Sequence, residues 1–266
     1  MQDNYNKINV SASIVTYNNS SKIIQTVYSI LNSTQNVNLT LYISDNNSSD
    51  DTISLIKEKF PDVKLLLNAT NSGFGWGHNM VLNKLDSKYH VVINPDIILK
   101  SDSISALVEK LESDESVVMC TSKILNEDGT EQFLPKKNPK LKYLLGGRLG
   151  KLRRNFAKLR EEYTMQNLNI STPCDIEFCT GCFFVIRTEM FKKLKGFDDR
   201  FFMYFEDADL SRRASNFGRV VFYPDVEVTH IWERASTKVS KFLIIHIISM
   251  FKYFFKWSFK KQKKIG

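Results

Sequence analysis

No apolar run in this 266-residue sequence is long enough to span a bilayer. The longest uncharged one, Phe242 to Phe251, has ten residues, where a spanning helix needs about 20. The opening MQDNYNKINV lacks the apolar core of a secretory signal, so a cytoplasmic location is expected. Cysteine is scarce. Cys120, Cys174, Cys179 and Cys182 include one CxxC, but no second CxxC or CxxH pair completes a zinc site, and buried free thiols are the expectation. Neither GxGxxG nor a P-loop occurs, which removes the dinucleotide fingerprint and the P-loop NTPases.

Acidic residues are absent after Glu233, where the chain carries eight lysines, from Lys238 to Lys264. Residues 1–237 are therefore neutral, and the net charge of +8 lies in the tail. A second acid-free run, Gln132 to Arg160, holds ten basic residues. Charge confined to segments argues against a field spread over a nucleic-acid-binding surface.

Val10 to Val15, Leu39 to Ser44, Val63 to Leu67 and His90 to Ile93 have the composition of strands. Lys22 to Leu31, Thr52 to Phe60 and Gly77 to Leu85 have helical spacing between them. Strict alternation predicts an α/β fold with a mainly parallel, doubly wound sheet. Further strands are expected at 116–125, at 178–186 and as a pair over 220–230, with helices at 188–195 and 206–217. In such a sheet the ligand crevice lies at the carboxyl ends of the strands. The loops there are polar: Thr16-Tyr17-Asn18, Asp45-Asn46-Asn47-Ser48, Asn68 to Asn71, and Asn94-Pro95-Asp96.

Asp96 follows a strand-ending proline, and a carboxylate there suits either a hard divalent cation or a turn. Asp45 can accept from a nucleobase or ribose, and a turn to the helix at Thr52 explains Ser48 to Asp51 better than it explains Asp45. Asn71-Ser-Gly-Phe-Gly-Trp-Gly-His-Asn79 sets Gly73, Gly75 and Gly77 at a helix entrance, where amides can approach a phosphate or sugar. In Phe205-Glu-Asp-Ala-Asp209 three acids open a helix. They suit a general base or simply the helix dipole. His230, at a strand end, either is structural or completes a metal site with Asp96; His78, His90 and His246 share no spacing.

Taken together, Ile14-Val-Thr-Tyr-Asn18, Ser44-Asp-Asn-Asn-Ser-Ser-Asp50, Asn71-x-Gly-Phe-Gly-x-Gly-x-Asn79, Asn94-Pro-Asp96, Thr180-Gly-Cys-Phe-Phe184, Phe201-x-x-Tyr-Phe-Glu-Asp-Ala-Asp-Leu210 and His230-x-Trp-x-Arg-Ala-Ser236 resemble the inverting family 2 glycosyltransferases of the GT-A fold, in their bacterial rhamnosyltransferase-like branch. The resemblance covers roughly residues 8–236. It implies a catalytic domain over 1–237, with a basic insertion at about 132–160. It also implies a nucleotide-sugar donor, dTDP-rhamnose first and UDP-hexoses next, and an undecaprenyl-diphosphate-linked or other glycan acceptor. By the same resemblance Thr16, Tyr17, Asn18, Asp45, Asn47, Asn71, Gly73, Phe74, Gly77, Asn79, Asn94 and Gly181 would contact the donor. Asp96 and His230 would hold Mg²⁺ or Mn²⁺, Asp207 would be the base, and Glu206 would be its catalytic neighbour. Asn94 replaces the first acid of a full DXD motif, which leaves one carboxylate on the metal.

Residues 238–266 are expected to form a basic amphipathic helix. Lys252, Lys256 and Lys260 would lie on one face, with Ile247, Met250, Phe251, Phe254 and Trp257 on another. Such a helix suits an anionic membrane at the inner face of the cell, where each lysine adds about 1 kcal/mol; packing on the domain or a homodimer seam would also use the apolar face. Of the rival classes, a nucleotidyltransferase would need a glycine in the loop after the first strand. A nucleic-acid binder would leave the acidic crevice unexplained.

Overall fold

The computed structural model describes residues 7–144, 154–231 and 239–258. The chain runs β1 (Asn9–Thr16), α1 (Ile23–Ser33), β2 (Asn38–Asp45), α2 (Thr52–Lys59), β3 (Lys64–Leu67), α3 (Phe74–Asn79), β4 (Tyr89–Ile93), β5 (Ile97–Ile98), α4 (Ser103–Ser113) and β6 (Val117–Leu125). It continues through α5 (Arg154–Thr164), β7 (Cys174–Asp175), β8 (Phe183–Arg187), α6 (Thr188–Lys193), α7 (Glu206–Ala214), β9 (Arg219–His230) and α8 (Val239–Ser258).

Nine strands form one sheet in the order β3-β2-β1-β4-β8-β6-β9-β5, with β7 on β9. The sheet is mixed. β3, β2, β1 and β4 are parallel, and β8 is antiparallel to both β4 and β6. β1 and β4 are buried almost throughout, as expected of parallel strands covered on both faces. Ile23, Val27 and Ile30 of α1, with Ile104, Leu107, Val108 and Leu111 of α4, pack on one face of the sheet. Phe191, Phe197, Leu210 and Ala214 cover the other.

The sequence expectations differ from the structure in several places. The strand expected at 178–186 begins only at Phe183, because the amides of Phe178 and Cys179 go to the Lys136 carbonyl and the Ser211 hydroxyl and residues 181–182 form a turn. The expected pair over 220–230 is one strand of 12 residues, β9. Its Pro224 falls between Tyr223, paired with Ser122, and Glu227, paired with Lys123, so a bulge absorbs the missing donor. The helix expected from Gly77 is displaced to 74–79, and only a 3₁₀ turn at Leu82–Lys84 continues it.

α8 differs more. Tyr253 is fully buried against Phe178, Phe201, Phe205 and Ala208, with Met250, Phe254 and Trp257 packed around it. Lys256, expected to face outward, reaches Asp209 (2.5 Å) and Asp198 (2.6 Å), and Lys252 donates to the Arg200 carbonyl (2.6 Å). The buried Asp209 and the partly buried Asp198 capture the Lys256 ammonium group. Among the described residues no helix is long and apolar enough to cross a membrane. Lys260, residues 145–153 of the basic run and Trp232 to Ser236 lie outside the described residues.

Candidate active site

The strand order changes direction at β1, flanked by β2 on one side and β4 on the other, so the crevice opens where these strands end. Thr16, Asp45 and Asn94 follow from parallel strands at that edge. Because β8 runs the other way, with Ile93 paired to Phe183, residues 180–182 arrive there as well. The two-residue β5 pairs Ile97 with His230 and so carries the far end of β9 to Asp96.

Asp96 Oδ1 lies 3.0 Å from His230 Nε2. Two adjacent ligands of an octahedral ion with bonds of about 2.1 Å are separated by about 3 Å, so the spacing of the pair, which is also that of a hydrogen bond between them, suits Mg²⁺ or Mn²⁺. Among the described residues there is no cluster of three or more acidic, histidine or cysteine side chains. Gln132, a residue the sequence reading did not select, sets the ring. Its amide nitrogen donates to the His230 carbonyl (3.1 Å), and its oxygen faces Nδ1 (3.1 Å). An amide oxygen only accepts, so Nδ1 donates to Gln132, while Nε2 is turned to the Asp96 carboxylate, to which it donates when protonated and beside which it can serve as a ligand when it is not.

Asp207 opens α7. Its Oδ2 accepts from the Gly181 amide and its Oδ1 from the Ala208 amide, both at 2.8 Å. Burial nevertheless raises its pKa to about 6. Glu206 is buried, and its Oε2 has no hydrogen-bond partner. Burial first, then the charge of Asp207, pushes it well above the usual carboxylate range. Both acids are thus raised, Glu206 by burial and by the charge of Asp207, and Asp207 by burial against two amides that favour its ionised form. The turn before them is strained, with Tyr204 and Phe205 at φ +71° and +70°, a conformation that bulky residues hold only when their surroundings enforce it.

Gly181 is the joint of the site. Its amide holds Asp207, and a β-carbon there would stand 3.0 Å from the Phe74 ring and 3.4 Å from the Asp207 β-carbon. The next residue, Cys182, accepts from the Asn94 amide (2.8 Å). Burial raises its thiol to about 12, with the charges of Asp207 and Asp96 adding to the shift. One short segment thus lies between the Asp96–His230 pair and the Asp207 carboxylate.

The remaining candidates are arranged around this centre. Thr16 is buried with Oγ1 unpartnered, Tyr17 is half exposed, and Asn18 and Asn47 adopt positive φ. Asn18 accepts from the Ser49 amide (2.8 Å). Asp45 does hold a turn, accepting from the Ser48 amide (2.8 Å) and hydroxyl. Asn71 accepts from the Gly73 amide (3.2 Å), beside a buried Asn46–Asn68 network. The glycines meet protein and not open space: a β-carbon on Gly73 would lie 2.1 Å from the Phe202 carbonyl, and one on Gly77 2.7 Å from Val15. Asn79 commits its amide to Phe197 and Asp199 (2.8 Å each) and so fastens the 197–199 loop to α3. His78 and His90, without common spacing in sequence, share the Ser13 hydroxyl in the core. All four cysteines are free.

A family model described as "Glycosyl transferase family 2" matches residues 11–195. The chain belongs to glycosyl transferase family 2. This family 2 chain is 26% identical over 206 residues to the N-acetylglucosaminyl-diphospho-decaprenol L-rhamnosyltransferase of Mycobacterium tuberculosis, covering 72% of this chain and 66% of that protein. It is 26% identical over 196 residues to the rhamnosyltransferase WbbL of Escherichia coli, covering 68% and 69%. Among solved structures it resembles GalNAc-T7 with UDP, GalNAc and Mn²⁺ (TM-score 0.64, 18% identity, 86% of this chain and 45% of that one). It also resembles a Pyrobaculum calidifontis mannosyltransferase in complex with GDP-Man and Mn²⁺ (TM-score 0.64, 16% identity, 97% and 66%). The family 2 chain therefore has the GT-A fold, and it spans 66% of the length of the mycobacterial relative.

Proposed function

We propose that this family 2 chain is an inverting glycosyltransferase that moves rhamnose from dTDP-rhamnose onto a lipid-linked glycan acceptor in polysaccharide biosynthesis. The observation that carries the reading is the Gly181–Cys182 segment, which bonds the Asp207 base on one side and the Asn94–Asp96 turn on the other. A transferase needs a base for the acceptor and a cradle for the leaving diphosphate side by side.

In this reading the donor's nucleoside lies along Thr16, Asn18 and Asp45, and its sugar lies against Gly181. Asp207 removes the proton from the acceptor hydroxyl as that oxygen attacks the anomeric carbon, and the bond from that carbon to the diphosphate oxygen breaks on the opposite face. Direct attack by the acceptor oxygen, with Asp207 serving only as its base, gives inversion. Asp96 and His230 would hold Mg²⁺ or Mn²⁺, which when bound offsets the charge of the diphosphate. The two rhamnosyltransferase relatives support rhamnose, and a UDP-hexose donor is the other outcome of the test.

Calorimetric titration with dTDP-rhamnose and UDP-sugars, each with and without Mn²⁺, tests the reading. Metal-dependent binding of dTDP-rhamnose, lost in Asp96→Asn, is the expected result. Binding of no nucleotide sugar in either condition would overturn it.

A further inference from the structure

The inward face of α8 is accounted for by Tyr253, Ser249 and Lys256, which pack on or bond to the domain. The outward face is apolar. Ile244, Ile248 and Phe251 are 58%, 48% and 66% exposed, with Leu243 at 36% beside them and Phe255 at 71% beyond. Intervals of four, three and four residues set 244, 248, 251 and 255 on a single stripe. One exposed apolar side chain is ordinary on a protein surface, whereas a continuous row over three turns marks a contact.

Charge identifies the occupant. Lys241 and Lys252 are exposed on the same helix, no acid occurs between Arg234 and Gly266, and Lys260, Lys261, Lys263 and Lys264 follow its end. A second copy of the chain would bring lysines against lysines with no carboxylate from this segment between them. An anionic lipid surface matches both the stripe and the charge. We propose that the outward face of α8 docks on an anionic bilayer, with the stripe at the headgroup boundary and the lysines among the headgroups.

α8 also holds the segment that leads into Asp207, through Lys252 on the Arg200 carbonyl, Ser249 on the Met203 carbonyl and Lys256 on Asp198. Docking by the outward face would therefore set the base beside the membrane that carries a lipid-linked acceptor. The proposal rests on the functional reading for that acceptor alone.

Co-sedimentation of the full chain with vesicles of phosphatidylcholine, with and without one third phosphatidylglycerol, tests docking without any nucleotide sugar. A failure to bind donor would therefore leave this result standing. Binding should favour the anionic vesicles, with each lysine near the surface contributing about fivefold. Ile248→Ser with Phe251→Ser should weaken it about tenfold or more at an unchanged melting temperature. Phe251→Trp should show an emission blue shift on adding anionic vesicles, a readout that survives if the double variant folds poorly. Equal binding to neutral vesicles, no blue shift, or a dimer seen by light scattering that the double variant dissociates while vesicle binding persists would each overturn the proposal.

Discussion

Asp207 is held at a cost to the fold. Its folded pKa of about 6 lies above the ordinary carboxylate value, so its contribution favours folding below the unfolded pKa and is lost as pH rises through about 6. Asp207→Asn should therefore raise the melting temperature at pH 8 by a few degrees, with a smaller change at pH 5, while lowering turnover about 10²- to 10⁴-fold. Thermal melts at the two pH values alongside a transfer assay check both halves. In the parent enzyme kcat should fall as pH drops below about 6, because protonation removes the base. Gln132 belongs to the same scale: Gln132→Leu should weaken Mn²⁺ binding about 10- to 100-fold, read by electron paramagnetic resonance. Asp96, His230 and Asp207 were legible in sequence because strand ends and a helix start locate them. Gln132 was not, since nothing near position 132 shows that its side chain would meet a residue 98 positions away.

The alternating strands and helices of the first half were readable from periodicity, and their register follows from the buried runs. The glycines of 71–79 were readable as special but not in their use. Their alternate spacing reads as an opening for phosphate, whereas Gly73 lets the backbone of Phe202 pass against α3, at φ +102°. Gly73→Ala should destabilise the chain by roughly 1–3 kcal/mol and weaken donor binding together, measured by urea unfolding and calorimetry. Affinity lost at unchanged stability would show instead that Gly73 meets the donor directly. The left-handed pair Tyr204–Phe205 gives no sequence signal either, because neither residue type favours that conformation.

At the scale of the whole molecule, α8 is fastened to the domain by Lys256, which meets Asp198 and the fully buried Asp209. Arg213 and the Trp257 indole also bond Asp209, so its charge is shared among three donors. Lys256→Met should lower stability by about 1–3 kcal/mol and expose α8 to limited proteolysis, without changing metal binding at Asp96. The helix was legible as amphipathic. Which face turned inward was not, because the deciding partners are acids some 50 residues earlier in the chain.

Ile97 pairs with His230, 133 positions further along the chain, and that pairing, with the Ile231 amide on the Asp96 carbonyl, holds the His230 ring beside Asp96. Loop closure over such a span comes late in folding, after the local β1–α1–β2 units have formed. A nascent chain that has not yet released β9 from the ribosome would lack the strand that pairs with β5, β6 and β7 and would not yet have His230 beside Asp96. In the proposed reading, tight Mn²⁺ binding would then report that β9 has taken its place in the sheet.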